Sequence, residues 1–167
     1  MIIRPAFVND IPVINNLANE IWWPAYKDVI SDEQISFMLQ NIYSEEALKR
    51  QLSEGARFVI IERDEKPVGF AGYSLEDSGD RILKLHKLYL LPSEQGKGTG
   101  KKLIEWLEKL AGQQNAEIFE LNVNRNNPAL SFYKKLGFEI WKTVDIPYYD
   151  FVLNDYVMRK SLRPIKL

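Results

Sequence analysis

Gln95-Gly96-Lys97-Gly98-Thr99-Gly100 combines three ingredients that hold an anion: backbone stripped of Cβ atoms, positive charge nearby, and a helix about to begin. Successive N–H groups in such a loop converge on one point, and the helix dipole favours negative charge there. A pyrophosphate suits that geometry, and Lys97, Lys101 and Lys102 suit a ligand with a further phosphate. Spacing separates this loop from its relatives. A Walker loop needs glycine at position 95 and Ser or Thr after its lysine, where the chain has Gln95 and Lys102. A dinucleotide fingerprint needs its third glycine at position 101, which is Lys101. Gln95, Gly98 and Gly100 instead fill a Gln-x-x-Gly-x-Gly pattern completely, although a plain glycine turn with solvated lysines is the competing reading of six residues taken alone.

Three other groups carry chemistry. His86 is the only histidine and lies nine residues ahead of the loop's first residue, within an apolar stretch where a merely packed imidazole is the commoner outcome. Tyr133 offers a phenol in a helical segment. Aromatic residues Trp22, Trp23, Tyr26, Tyr43, Tyr148 and Tyr149 lie near Asp28, Asp32, Glu33 and Asp145 in sequence, a composition that suits a cationic amine through cation–π contact and charge. Core packing and solvated or capping acids are the alternative for each of them taken singly.

These groups need elements to position them. Met1–Phe7 reads as a short strand, followed by a helix capped at Asn9 or Asp10 with Ile11, Ile14, Leu17, Ala18 and Ile21 at helical spacing. Trp22-Trp23-Pro24-Ala25-Tyr26 reads as a proline-broken aromatic segment, a candidate lid, before helices entered at Ser31 and Ser44. Period-two patterning then predicts strands at Arg57–Arg63 and Val68–Leu75 joined by a Lys66-Pro67 turn, and a third at Ile82–Leu91. A helix follows the glycine loop with Leu103, Ile104, Leu107 and Leu110 on one face. The remaining elements are a strand at Ile118–Val123, a helix at Pro128–Leu136, and strands at Phe138–Trp141 and Tyr149–Met158. The helical crossover makes Ile82–Leu91 and Ile118–Val123 parallel neighbours in a mixed α/β sheet.

Composition narrows the partners. The 167 residues, with 46% hydrophobic and 27% charged, suit a single domain over 1–167. A formal charge of -1 gives no bulk reason to bind nucleic acid or an anionic membrane. Absence of cysteine removes disulfides, thiolate metal sites and thiol nucleophiles and suits a reducing cytoplasm. The N-terminus lacks a signal-peptide apolar core. The expectation is a cytoplasmic protein with a small-molecule partner and no metal.

Leu88-Tyr89-Leu90-Leu91-Pro92-Ser93-Glu94 running into the glycine loop resembles the central motif of the GNAT acetyltransferase superfamily, and Asn126-Asn127-Pro128-Ala129-Leu130-Ser131-Phe132-Tyr133-Lys134-Lys135-Leu136-Gly137-Phe138 resembles the motif that follows it. The resemblance covers Lys66–Phe138 in motif and the rest in element order. It implies the GNAT fold: a mixed sheet of about seven strands, flanked by helices, with a V-shaped splay between strands 4 and 5 that receives the pantetheine arm of acetyl-CoA. Carried over by position, Leu88, Tyr89 and Leu90 would bond that arm through their backbone. Gln95, Gly96, Lys97, Gly98, Thr99, Gly100 and Lys101 would hold the pyrophosphate, and Asn126 would touch the coenzyme by its side chain.

Tyr133 would face the sulfur as general acid, and a backbone N–H near Leu90 would stabilise the oxyanion. By alternation His86 shares a face with Leu88 and Leu90, where family members often place a base. The reaction so implied is acetyl transfer to a primary amine. A lysine-like amine is neutral in only about one molecule in two thousand at pH 7, so its proton must go to a base or to relayed water. The layout is similar to bacterial spermidine/spermine N-acetyltransferases, including Asn154-Asp155-Tyr156-Val157-Met158, and makes polyamines a candidate acceptor with Trp22, Trp23, Tyr26 and Tyr148 as candidate contacts. Open alternatives are a protein N-terminus, an amino acid, an aminoglycoside, a non-catalytic acetyl-CoA sensor, or a structural partner with an incidental glycine loop. A homodimer through the terminal strands is a further expectation of the family.

Overall fold

The computed structural model describes residues 1–163; the last four residues of the expected 1–167 domain lie outside that range. Its elements run β1 (Ile2–Pro5), α1 (Ile11–Tyr26), α2 (Asp32–Tyr43), α3 (Glu45–Ser53), β2 (Arg57–Arg63), β3 (Lys66–Asp77) and β4 (Arg81–Leu90), followed by α4 (Thr99–Gln113), β5 (Ile118–Asn124), α5 (Ala129–Lys135), β6 (Glu139–Tyr148) and β7 (Phe151–Ser161). The seven strands form one mixed sheet in the order β1-β2-β3-β4-β5-β7-β6. The β4–β5 neighbours, joined through α4, are parallel; their register runs from Ile82↔Ile118 to Leu85↔Leu121. Past the last of these pairs β4 runs on to Leu90 and β5 to Asn124. This is the GNAT fold that the two motifs imply.

The chain falls into two compact units, each discontinuous in sequence: Met1–Tyr73 with Lys87–Leu103, and Ser74–His86 with the chain from Ile104 onward. In the first, the three helices bury Ile11, Ile14, Leu17, Ile35, Leu39 and Leu48. Ser31 and Ser44 cap α2 and α3 by accepting from the N–H of Gln34 and Ala47, as their sequence positions lead one to expect. In the second, Leu83, Leu85, Phe119, Leu121, Phe138 and Met158 form the core, with Phe119 and Phe138 edge to face at 5.1 Å between centroids.

Four local expectations are corrected. Helix α1 continues through Pro24 to Tyr26, so the aromatic segment is helix rather than a broken lid. Proline there removes one hydrogen bond near an exposed helix end, and Lys27 N–H still donates to Trp23 O at 3.1 Å. The β2–β3 turn sits at Asp64-Glu65, not Lys66-Pro67: both have positive φ, 52° and 65°, the combination whose twist matches a hairpin. Pro67, lacking an N–H, lies opposite Glu62 where the register shifts. Asp10 does not cap α1 with its side chain; the carboxylate pairs with Arg4 and accepts from Phe7 N–H. Finally, β6 extends to Tyr148 and β7 begins at Phe151, with Tyr149 in the turn at φ 54°. As an exposed outer strand β6 has little of the apolar alternation by which strands are read.

Candidate functional site

Beyond Leu90 the chain makes one 3-10 turn at Pro92–Glu94, then the glycine loop, then α4. Gly96 and Gly98 have φ of +77° and +75°, and a Cβ built on either meets nothing within 4 Å. Glycine is needed there for conformation, and the side on which a Cβ would stand is open to an approaching group. Lys102 N–H donates to Gly98 O at 3.1 Å, the first bond of α4. The amides of Thr99, Gly100 and Lys101 therefore start the helix without a partner in a preceding turn, the arrangement that suits an anion. Gln95 and Lys97 are exposed.

A buried carboxylate holds the loop in place. Glu94, 2% exposed, accepts Arg63 Nε at 2.8 Å on Oε1 and Thr99 Oγ1 at 2.9 Å on Oε2, while Arg63 Nη2 donates to Thr99 Oγ1 at 3.3 Å. The Arg63 guanidinium keeps the Glu94 carboxyl below its ordinary range. Thr99 is thus occupied through its hydroxyl and has only its backbone to offer a ligand. Arg63 lies far from the loop in sequence, and no motif marks it.

The strand beneath the loop packs just as tightly. A Cβ on Gly69 would stand 2.5 Å from Leu90 Cδ2 and 2.7 Å from Tyr89 O, so β3 and this stretch of β4 come together only because residue 69 is glycine. Leu91 N–H donates to Val68 O at 2.8 Å. Tyr89, expected to act through its backbone, places its ring among Trp22, Tyr43 and Phe70, at 5.7, 6.2 and 5.8 Å between centroids, and its hydroxyl 3.3 Å from that of Tyr26. Burial pushes the Tyr89 phenol well above its usual range.

Trp22 is 4% exposed, and its Nε1–H has no hydrogen-bond acceptor among the described residues. Trp22 is thus part of the aromatic core, whereas Trp23 faces an open polar cavity of about 340 Å³ with Asn15, Asn19, Ser36, Gln40 and Glu45. On β4, two residues before Tyr89, Lys87 sends its ammonium to Gln51 Oε1 at 2.7 Å and lies 5.8 and 5.7 Å from the Tyr43 and Phe58 ring centroids. Burial lowers its pKa to about 8.

The second unit contains the other expected residues. His86 Nε2 lies 2.7 Å from Ser74 Oγ, and the side chain is exposed. Tyr133, 8% exposed, packs edge-on against Phe132 and Phe138 at 5.2 and 5.9 Å. Asn126 is exposed and its N–H donates to Asn124 Oδ1 at 2.9 Å. Tyr148 ends β6 against Tyr149, 5.0 Å away.

One face of this unit's strands is polar in a way no local pattern announces. Register puts Lys84, Glu120 and Arg159 in one row, Asn122 in the next, and Asn124 with Asp155 in the next. Glu120, 8% exposed, takes Lys84 Nζ and Arg159 Nε, each at 2.8 Å, and those hydrogen bonds outweigh the cost of burial, so its carboxyl lies below the usual range.

The sequence expectations therefore separate into two groups. Trp22, Trp23, Tyr26, Leu88–Leu90 and the whole glycine loop belong to one unit; His86, Asn126, Tyr133 and Tyr148 belong to the other.

The chain belongs to the acetyltransferase (GNAT) family, whose model matches residues 16–138. It is an acyl-CoA-dependent N-acetyltransferase by class. Among its relatives, the spermidine N(1)-acetyltransferase of Thermoplasma acidophilum is 27% identical over 165 residues, covering 95% of this chain and 96% of that one. An uncharacterized N-acetyltransferase of Mycobacterium bovis is 32% identical across 80% of this chain and 85% of its own. Among solved structures, the PaiA N-acetyltransferase from Thermoplasma acidophilum in complex with coenzyme A superposes with a TM-score of 0.81 at 27% identity, over 96% of this chain and 98% of that one.

Proposed function

We propose that the chain acetylates a primary amine on a small cationic molecule, a polyamine being the first candidate, with acetyl-CoA as donor. The observation that carries the donor half is the loop at Gln95–Gly100. Two open positive-φ glycines and the backbone amides that begin α4 fit a pyrophosphate, and Arg63, Glu94 and Thr99 fix that shape in advance. The backbone of 95–101 and the Lys97 and Lys101 ammoniums would hold the phosphates, with Asn126 as a side-chain contact. The coenzyme's contribution is an activated acyl thioester.

The chain's own residues have the remaining tasks. Tyr133 is the candidate donor of a proton to the departing thiol. A thiol leaves readily with its pKa near 8.5, so the phenol's help is modest and Tyr133→Phe slows turnover without abolishing it. His86, oriented by Ser74, is the candidate acceptor of the amine's proton. Trp22 shapes the aromatic core from within; Trp23, Tyr26 and Tyr148 are the more accessible candidate contacts for the acceptor. The likeness to a spermidine N(1)-acetyltransferase along nearly the whole length supports a polyamine over other amines. The protein is read as cytoplasmic and as a candidate homodimer.

The test is a thiol-release screen with acetyl-CoA against polyamines, amino acids, aminoglycosides and peptides. Release with spermidine or a related polyamine is expected; release only with peptides would move the acceptor class, and none with any amine would favour a sensor.

A further inference from the structure

The polar face of β4, β5 and β7 has two acidic side chains that differ in one respect. Glu120 is saturated by Lys84 and Arg159. Asp155, two rows away on the same face, is half-buried, and among the described residues no cation lies within ion-pair distance of its carboxylate. The neighbouring cations are engaged elsewhere: Lys84 also donates to Asn122 Oδ1, and Arg159 stacks 3.4 Å over Trp141. Arg125 pairs with Asp145 and donates to Val144 O at 2.8 Å, reaching only the backbone oxygen of Asp155, at 3.5 Å. The Asn122 amide is the hydrogen-bonding neighbour that favours the ionised form of Asp155, and burial pushes the carboxyl up despite it and despite the more distant charges of Arg125 and Lys84.

A half-buried carboxylate without a counter-ion is unfavourable, and the cost is recovered when a cation arrives. The arriving cation must be compact and able to donate to a carboxylate while Lys84 and Arg125 remain where they are. A primary or secondary ammonium meets both conditions, with three or two N–H donors on a point charge.

We propose that Asp155 is the anchor for an ammonium group of the acceptor, binding it as a charge-assisted hydrogen bond on the β4–β5–β7 face. This assignment rests on the reading of the protein as an acetyltransferase of small cationic amines and names the residue that selects their charge. An acceptor with a second ammonium remote from the reacting nitrogen leaves that reacting nitrogen free to lose its proton while the other is held, so a diamine or polyamine outperforms a monoamine.

The experiment is calorimetric titration of spermidine into the coenzyme A complex of the full chain, wild type and Asp155→Asn. Loss of a charge-assisted hydrogen bond raises the dissociation constant about tenfold or more, with coenzyme A affinity unchanged. Wild-type affinity falls as the pH is lowered and the carboxyl takes up its proton, whereas Asp155→Asn shows no such limb; Lys84, Arg125, Glu120 and Asp145 are present in both and cancel. Carbon NMR of the Asp155 carboxyl in the wild type gives an independent readout, with its pKa expected to drop when spermidine is added.

Equal affinity in the two proteins, or no spermidine binding and no shift of that resonance, overturns the assignment. Spermidine held through Asp155 but never acetylated leaves the anchor standing and removes the acetyltransferase reading for polyamines. Acetylation with the same KM in Asp155→Asn does the reverse.

Discussion

The glycine loop and the polar face of β4, β5 and β7 both depend on buried charge, and they are built in opposite ways. In the loop, one carboxylate, Glu94, ties a distant arginine to a hydroxyl five residues along the chain, and the ligand-facing groups are backbone amides that follow one another in sequence. On the polar face no two of Lys84, Glu120, Asn122, Asp155 and Arg159 stand adjacent in the chain; strand register alone assembles them. A site made of consecutive backbone groups tolerates varied side chains and leaves a spacing signature. A site made by register depends on side-chain identity and leaves none.

The largest effect expected from that difference is on stability. Glu120→Ala strands Lys84 and Arg159 on a partly buried face and costs about 3 kcal/mol, read as a lowered urea midpoint with unchanged slope. A cost below about 1 kcal/mol would mean that water reaches those cations and that the face is not organised by its ion pairs.

Two glycines of the other region separate packing from conformation. Gly69→Ala forces a methyl group against the Tyr89 carbonyl and the Leu90 side chain and costs about 2 kcal/mol. Gly98→Ala meets open space and suffers only the positive-φ penalty of about 1 kcal/mol. Chemical denaturation of the two variants side by side checks the order; the reverse order would break the distinction between a strand that needs close approach and a loop that needs shape.

The smallest effect is a pH slope at Lys87. Burial lowers this ammonium to about 8, below its value in the unfolded chain. Between that value and the ordinary lysine range the unfolded state binds the extra proton, so stability rises with pH across that window; below it both states are charged and the slope vanishes. Lys87→Met removes the rise, and the difference between the two proteins isolates it from every group they share. Wild type and variant with equal slopes would show that Lys87 stays solvated.

The same contrast explains what could be read in advance. The order of elements along the chain, the helical crossover and the caps Ser31 and Ser44 follow from local pattern and from side chains that bond their own helix. The loop was legible because Gln95, Gly98 and Gly100 are neighbours in the chain. Arg63, Gly69 and Asp155 were not: each owes its place to a partner brought up by folding, and a lone arginine, glycine or aspartate in a strand has many commoner explanations. Pro24 and the Lys66-Pro67 pair misled because proline is read as a breaker, whereas an exposed last helical turn and an irregular strand register both accommodate it.

The central claim is that Gln95–Gly100 seats the coenzyme's pyrophosphate on bare backbone. Calorimetric titration of coenzyme A into the wild type and into the Gly96→Ala, Gly98→Ala double variant tests it most directly. Saturable binding by the wild type and a dissociation constant at least about tenfold weaker in the variant, equivalent to about 1.4 kcal/mol, are expected; equal affinities, or no binding by the wild type, would contradict it.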